Sequence, residues 1–427
     1  MPIDDIPGQR PQPLSARLIA VPKPHRAISL LLAVLLAAGA WQAVAAATLG
    51  EAVTSALALA GQDQRVGAER AVGGALREQA RGLLADNPAL RMKLLSDRAT
   101  GNQGAYETEG MLDLPLLLPG QRGARLDLAD STEAAADALL GRLRWEMAGL
   151  VRESVWETAL AEARLRQGEA ALAGAQALEA SVAKRKGAGE LAQLDLLLAR
   201  QETLARQSDL DAALAAHAEA LAGYRSLTGQ QALPVPLPES APALTDEPLP
   251  PGHPLLASLE QAVAMARSER SQVSADRRGH PILSFGAKHA RADRHAPQDD
   301  ALQLEVILPL GLKRTSAPDL ARAERDYTAQ LAELQQARQT VAQEVATARV
   351  ALAGAAQQLA SARERATVTD AALQLARRAF ELGEGDLAEL LRAEERAREA
   401  HLNLALRELE QGHALSRLNQ ALGVIPE

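Results

Sequence analysis

The chain has 427 residues, of which 47% are apolar and only 2% are aromatic. A compact globular core usually depends on aromatic area, so this composition favours long packed helices rich in Ala and Leu. The net charge of -8 argues against a nucleic-acid-binding protein, and the lack of cysteine excludes disulfides, cysteine-bound metals and a thiol nucleophile.

The first segment has the pattern of a signal peptide. Lys23 and Arg26 precede an apolar run from Ala27 to Ala40, and Ala43-Val44-Ala45 is a small-residue cleavage site. The run has 14 residues, which is short for a transmembrane helix. We therefore expect residues 1–45 to be a cleaved signal peptide, with a signal anchor as the alternative.

Residues 46–230 are predicted to form a first repeat. One helix is expected from Thr48 to Asp86, where Asn87-Pro88 stops it. Apolar and polar residues then alternate on both sides of a polar loop, which predicts a β-hairpin. The alternating apolar residues are Leu90, Met92, Leu94, Leu112 and Leu114.

A long helical hairpin completes this repeat. The Ala/Leu/Glu/Arg-rich text from about Arg125 to Lys186 has helical spacing, and a helix of about 60 residues is about 90 Å long. Gly187 and Gly189 interrupt it. A returning helix is then expected to end at Gly229, a residue type typical of helix C-termini.

Residues 231–252 contain seven prolines and are predicted to form an extended linker. In residues 253–427 the same order of elements returns, and its hairpin has alternating Leu283, Phe285, Ala287, Leu302, Leu304 and Val306. An offset of 194 relates the repeats, with Gly383 on Gly189, Glu389 on Asp195 and Gly423 on Gly229. We infer an internal duplication. At the glycine break a local slip of two residues also fits, with Gly383 and Gly385 on Gly187 and Gly189.

The predicted strands cannot complete a sheet within one chain. A two-stranded ribbon is marginal in water, and open strand edges are not tolerated in lipid. Four strands per chain therefore require oligomerisation if the apolar faces contact lipid, and three chains would supply twelve strands.

The motifs LDLPLLL (Leu112–Leu118), VILPLGL (Val306–Leu312), GELAQLDLLLA (Gly189–Ala199) and GEGDLAELLRA (Gly383–Ala393) carry a family resemblance. From Thr48 to Gly423 the chain resembles the TolC family of outer-membrane efflux proteins. The resemblance implies a mainly α fold with a small β part, in which long coiled-coil hairpins and four strands per chain assemble as a homotrimer. Its strands would close a 12-stranded barrel in the Gram-negative outer membrane, and its helices would form a tunnel across the periplasm.

The same resemblance implies partners and a docking surface. A periplasmic membrane fusion (adaptor) protein would dock at the tips of the helical hairpins, and an inner-membrane pump of the RND type would drive export. The expected docking residues are Gly187, Gly189, Glu190, Leu191, Gly383, Glu384, Gly385, Asp386 and Leu387. The alternative is simple chain reversal, for which glycine supplies dihedral angles that other residues resist.

Three further residues are expected at the narrow end of the tunnel: Asp195, Glu389 and Arg392. The family often has acidic residues there, and a ring of Glu389 carboxylates would favour cations. Arg392 departs from that pattern, because a second acid is common at its position. The alternative for these charges is an ordinary solvated helix face.

The sequence contains no catalytic or cofactor-binding constellation, so we expect neither an enzyme nor a bound cofactor or metal. His289 and His295 lie near Asp293, Asp299 and Asp300 in the second hairpin. A surface metal site there is conceivable, but an exposed loop is the simpler interpretation.

The sequence leaves the exported substrate open. Export of small molecules or metal ions competes with a conduit for type I protein secretion. A soluble periplasmic coiled-coil scaffold or adaptor is the alternative from another class, although adaptors usually carry one helical hairpin flanked by β-rich modules.

Overall fold

The computed structural model describes residues 48–235, 237, 239–240, 249–311 and 313–427. The predicted signal peptide, residues 1–45, lies outside these ranges. Within them the chain is mainly helical, with seven helices and one four-stranded antiparallel sheet. None of these helices combines the length and the apolar character that crossing a bilayer requires.

The first half contains four helices and two strands. In chain order they are α1 (Leu49–Leu59), α2 (Gln62–Arg81), β1 (Ala89–Ser96), β2 (Tyr106–Pro115), α3 (Pro119–Gly187) and α4 (Gln193–Thr228). The second half repeats the order with one helix before its hairpin: α5 (Pro254–Asp276), β3 (Ile282–Arg291), β4 (Asp299–Ile307), α6 (Lys313–Leu382) and α7 (Leu387–Ala421). With 69 residues, α3 is about 100 Å long.

Two sequence predictions need correction at helix ends. The single helix expected from Thr48 to Asp86 is two helices, because Gly61 adopts φ +66 between them and ends the first. The long helix begins at Pro119 instead of near Arg125. Proline suits the first turn of a helix, where its missing N–H has no intrahelical partner in any case.

Helix packing links the two halves. Helix α3 packs against α2, α4, α5 and α7, while α6 packs against α5 and α7. Three apolar clusters result. One joins α1, α2, α3 and α4 around Val151 and Tyr224, the second joins α5, α6 and α7 around Val341, and the third lies at the glycine breaks. Burying one such side chain stabilises the fold by about 1.5–3 kcal/mol.

The strands follow the order β1-β2-β3-β4, so β1 and β4 are the edges of the sheet within this chain. At its centre Gly286 pairs with Met111, and a Cβ added there would lie 2.0 Å from the carbonyl oxygen of Gly110. Only glycine fits at that position. The close approach brings β2 and β3, and with them the two halves of the chain, into direct contact.

Candidate functional site

The first glycine break is a tight turn between α3 and α4. Gly189 has φ +85, and the N–H of Glu190 donates to the carbonyl of Arg185 at 3.0 Å. The carboxylate of Asp195 accepts the backbone N–H of Ala192 at 2.9 Å, which satisfies a donor just before the helix. The side chain predicted to line a constriction therefore helps to start α4.

The second glycine break has the same geometry. Gly383 has φ +76, and the N–H of Glu384 donates to the carbonyl of Ala379 at 2.9 Å. Asp386 is the N-cap of α7, and its carboxylate accepts the N–H of Glu389 at 2.6 Å. This is the usual way in which an N-terminal aspartate satisfies a free donor of the first helical turn.

The backbone decides between the two alignments of the repeats. The left-handed glycines are Gly189 and Gly383, whereas Gly187 is the last residue of α3 and lies outside the left-handed region. The N-cap residues Ala192 and Asp386 are also 194 residues apart. The offset of 194 therefore holds through the break, and the two-residue slip is wrong.

The two turns pack into one tip. Val182, Phe380 and Leu390 belong to a single apolar cluster that draws on all four helices of the two hairpins. The guanidinium of Arg185 lies 4.8 Å from the centroid of the Phe380 ring, and Nη1 donates to the carbonyl oxygen of Phe380 at 3.2 Å. Arg185 also pairs with Glu190 at 3.0 Å.

The predicted docking residues differ in exposure. The exposed ones are Gly187, Gly189, Glu190, Gly383, Glu384 and Asp386. Leu191 and Gly385 are half-buried, and Leu387 is 2% exposed within the tip cluster. The exposed polar and backbone groups of the tip therefore surround an apolar centre that holds both turns.

Glu389 and Arg392 lie on the exposed face of the first turns of α7. Within the described residues neither side chain forms an ion pair, so they are not locked to each other in a single chain. Both charges are free to act on whatever faces this surface.

The sheet has one apolar and one charged face. Leu90, Met92 and Leu94 on β1 alternate with Arg91 and Lys93. The apolar side chains at both edges are largely exposed, to 91% at Leu302. The other face carries cross-strand ion pairs, including Lys93 with Glu107 at 2.8 Å, Lys288 with Glu107 at 2.9 Å and Arg91 with Asp113 at 3.1 Å. A single chain thus leaves an extended apolar surface in contact with solvent.

At the second hairpin loop, the side chains considered as an alternative metal site contact other groups of the chain. His289 is held by Asp300 at Nδ1 and by the Tyr106 hydroxyl, 2.7 Å from Nε2. Asp293 accepts the backbone N–H of His295 at 2.7 Å. Across the described ranges no group of three or more metal-binding side chains is present.

Two of the helices carry exposed apolar stripes. On α4 the stripe consists of Leu194, Leu197 and Leu204, and on α6 of Val368, Leu375 and Leu382. The members on α6 are spaced by seven residues, which is the repeat of a coiled-coil seam. Among the residues that the structure describes, no side chain covers either stripe.

A buried polar cluster that the sequence did not indicate joins both halves to the proline-rich segment. Arg152 on α3 is 3% exposed and pairs with Glu239 at 2.7 Å. Glu239 also accepts from Ser416 at 2.5 Å and from Asn419 at 3.1 Å, both on α7. Burial by itself raises the pKa of Glu239, but Arg152, Ser416 and Asn419 outweigh it and hold that pKa below its ordinary value of 4.5.

Comparison with known proteins agrees with this architecture. Residues 252–424 match the family model described as outer membrane efflux protein. No curated protein matches the chain.

Several solved structures share the fold. The outer-membrane channel OprN is 20% identical with a TM-score of 0.68, covering 88% of this chain and 89% of its own. The outer membrane protein VceC of Vibrio cholerae is 17% identical with a TM-score of 0.68 over 90% of this chain and 98% of its own. The open state of the MtrE channel of Neisseria gonorrhoeae is 18% identical with a TM-score of 0.63, and the match covers 89% of each chain.

The family is one of channel proteins and not of enzymes. Residues 252–424 are thus similar to the outer membrane efflux protein family, and the chain as a whole has the fold of the TolC-like outer-membrane channels.

Proposed function

We propose that this protein is the outer-membrane channel of a tripartite export system. Channels of this family work with an adaptor and an inner-membrane pump. The sheet is the observation that carries the proposal. Its apolar face is exposed and its opposite face is charged. Within the described chain β1 and β4 form its two unpaired edges. An apolar outer face with a polar inner face is the arrangement of a strand assembly that meets lipid outside and water inside.

The pairing of strand edges between chains sets the number of chains in the assembly. Because open edges are not tolerated in lipid, β1 of one copy pairs with β4 of the next. A homotrimer closes twelve strands, and the exposed stripes on α4 and α6 pack between neighbouring copies along the helical tunnel. In this assembly residues 1–45 direct export to the periplasm. Residues 46–230 and 253–427 each supply two strands and a helical hairpin, joined by residues 231–252.

The tip receives the adaptor. Both turns lie in one cluster, so an adaptor hairpin meets a surface formed jointly by the two repeats. We assign docking to the nine tip residues named from the sequence, with the exposed polar groups making the contacts and Leu387 supporting the turn from inside. Glu389, Arg392 and Asp195 border the opening of the tunnel, and a pump of the RND type delivers small molecules or metal ions to it.

The decisive experiment is the native mass of the protein extracted in mild detergent from purified outer membranes. We expect three chains per particle, because barrel closure requires them. A monomer or dimer in the soluble periplasm contradicts the channel and favours a scaffold.

A further inference from the structure

The apolar face of the sheet has a depression near the hairpin loops. Gly110 and Ala287, which pair across β2 and β3, form its floor, and Thr108, His289 and Leu302 surround it. The cavity volume is about 430 Å³. All five residues alternate in phase with the exposed leucines, so the depression opens on the face that we assign to lipid.

A polar cluster lies at the loop end of the depression. The Tyr106 hydroxyl is 2.7 Å from Nε2 of His289, whose Nδ1 faces Asp300. The guanidinium of Arg291 lies 5.3 Å from the centroid of the Tyr106 ring. In the described part of the chain this guanidinium forms no hydrogen bond or ion pair, and its Nε is buried without a partner.

The position of this cluster follows from the connections of the strands. The helices attach at Ala89, Pro115, Ile282 and Ile307, which is the opposite end of the sheet from Tyr106 and Arg291. With the helices in the periplasm, the polar cluster lies at the level of the outer-leaflet headgroups. Tyrosine and arginine favour this interface, because each has an apolar body and a polar end.

We propose that the depression binds one acyl chain of a phosphorylated glycolipid of the outer leaflet, with its phosphate on Arg291. The site joins an apolar groove to an unpaired cation, and a phosphate-bearing lipid has both complementary parts in one molecule. Arginine pairs with phosphate through two parallel hydrogen bonds. A hydrocarbon chain that fills the groove gains van der Waals contacts with its apolar walls and keeps water out of it. The assignment rests on the proposed location in the outer membrane.

The test uses the intact protein purified from outer membranes and exchanged into mild detergent. Native mass spectrometry measures binding of lipid A, of the same lipid after removal of its phosphates, and of phosphatidylethanolamine. Arg291→Gln removes the cation, and Gly110→Leu fills the groove. A Cβ at Gly110 meets nothing within 4 Å, so this variant is compatible with the sheet. Arg98→Gln, at an exposed arginine of the first hairpin loop, is the matched control.

We expect one lipid A per chain on the wild-type protein and on the control variant. Loss of either the lipid phosphates or Arg291 weakens binding about tenfold, the size of a charge-assisted hydrogen bond. Gly110→Leu weakens the binding of both forms of lipid A. Equal binding by wild-type and Arg291→Gln protein, or an equal loss in Arg98→Gln, overturns the site. Failure to find any trimer in the outer membrane overturns the proposed function first and this inference with it.

Discussion

Arg185, near the end of α3, holds Phe380, near the end of α6, through two contacts at once. Its Nη1 donates to the Phe380 carbonyl oxygen at 3.2 Å, and its guanidinium lies 4.8 Å from the centre of the same residue's ring. A hydrogen bond and a cation–π contact each contribute about 1 kcal/mol. The two repeats are therefore joined directly at the tip as well as through their packed helices.

Replacing Arg185 tests this link. We expect Arg185→Gln to increase local opening of both turns. Amide hydrogen exchange should become about tenfold faster in residues 187–192 and 383–386. The substitution removes contacts that contribute about 2 kcal/mol, of which the polar amide of Gln restores a part. Exchange measured by mass spectrometry on the detergent-solubilised protein checks this. Lys186→Gln, an exposed neighbour, is the control. Faster exchange confined to the first turn argues that the two turns open independently.

Gly383 and Gly187 offer a matched pair of substitutions, because one lies in the left-handed region and the other at a helical position. Gly383→Ala forces a Cβ into the left-handed region, which costs about 1–2 kcal/mol, although the added atom itself meets nothing within 4 Å. Gly187→Ala lies at a helical position, also in open space, and we expect it to stabilise α3 by up to about 0.5–1 kcal/mol. Thermal melting in detergent compares the variants with the wild type. Equal destabilisation by both shows that backbone conformation does not decide the effect.

The half-buried Glu239, which pairs with the buried Arg152, gives stability a defined dependence on pH. Its folded-state pKa is below the ordinary 4.5, so its contribution is fully present above pH 4.5 and is lost as the pH falls through the folded pKa. We expect Glu239→Gln to cost about 3–5 kcal/mol near neutral pH, because Arg152 remains buried without its carboxylate. The difference in melting temperature between wild type and variant shrinks below pH 4.5.

An exposed carboxylate on α3 is the control for this experiment. Glu157→Gln removes the same charge type without leaving a buried cation unpaired, and surface ion contributions are small. We expect its melting temperature to follow the wild type at every pH. If the difference in melting temperature between Glu239→Gln and the wild type stays constant from pH 7 to pH 3.5, the carboxylate of Glu239 is not the source of the pH dependence.

The repeated architecture was predictable because its signals are local. Alternation identified the hairpins, and Gly189, Gly383 and their constant offset identified the turns. Gly61 was missed because an isolated glycine is tolerated inside many helices, and only its positive φ shows that it ends one. Sequence also left two alignments at the break, since two glycines in each turn fit both, whereas one in each adopts the left-handed conformation.

Contacts between distant segments were beyond the reach of the sequence. Arg152 and Glu239 are separated by 87 positions. The sequence around Arg152 predicts a helix and that around Glu239 predicts a linker, and neither pattern indicates a contact between them. The proline-rich segment was predicted to be only a connection, yet Leu233 and Leu237 pack on the first apolar cluster. The two turns lie where the glycine breaks predicted chain reversal, but nothing in the sequence indicated that Arg185 would bind the other repeat.

The opposite charges of Glu389 and Arg392 make the final prediction, which rests on the trimeric channel. Both side chains are exposed and unpaired in the described chain. If they border the tunnel, Glu389→Gln lowers the cation-to-anion permeability ratio and Arg392→Gln raises it. A unit charge about 8 Å from a passing ion contributes about 0.5 kcal/mol in water, and each variant removes one such charge from all three chains, so each change is about tenfold.

Reversal potentials in planar bilayers with a salt gradient measure that ratio. Glu364→Gln, at an exposed carboxylate farther along α6, removes a charge away from the tip and leaves the ratio unchanged. Opposite shifts for Glu389→Gln and Arg392→Gln place both residues at the constriction, with the arginine offsetting a cation-selective ring. If neither variant differs from Glu364→Gln in its permeability ratio, these side chains belong to an ordinary solvated helix face. Only charges close to the permeation path change selectivity, because salt screens the effect of more distant charges.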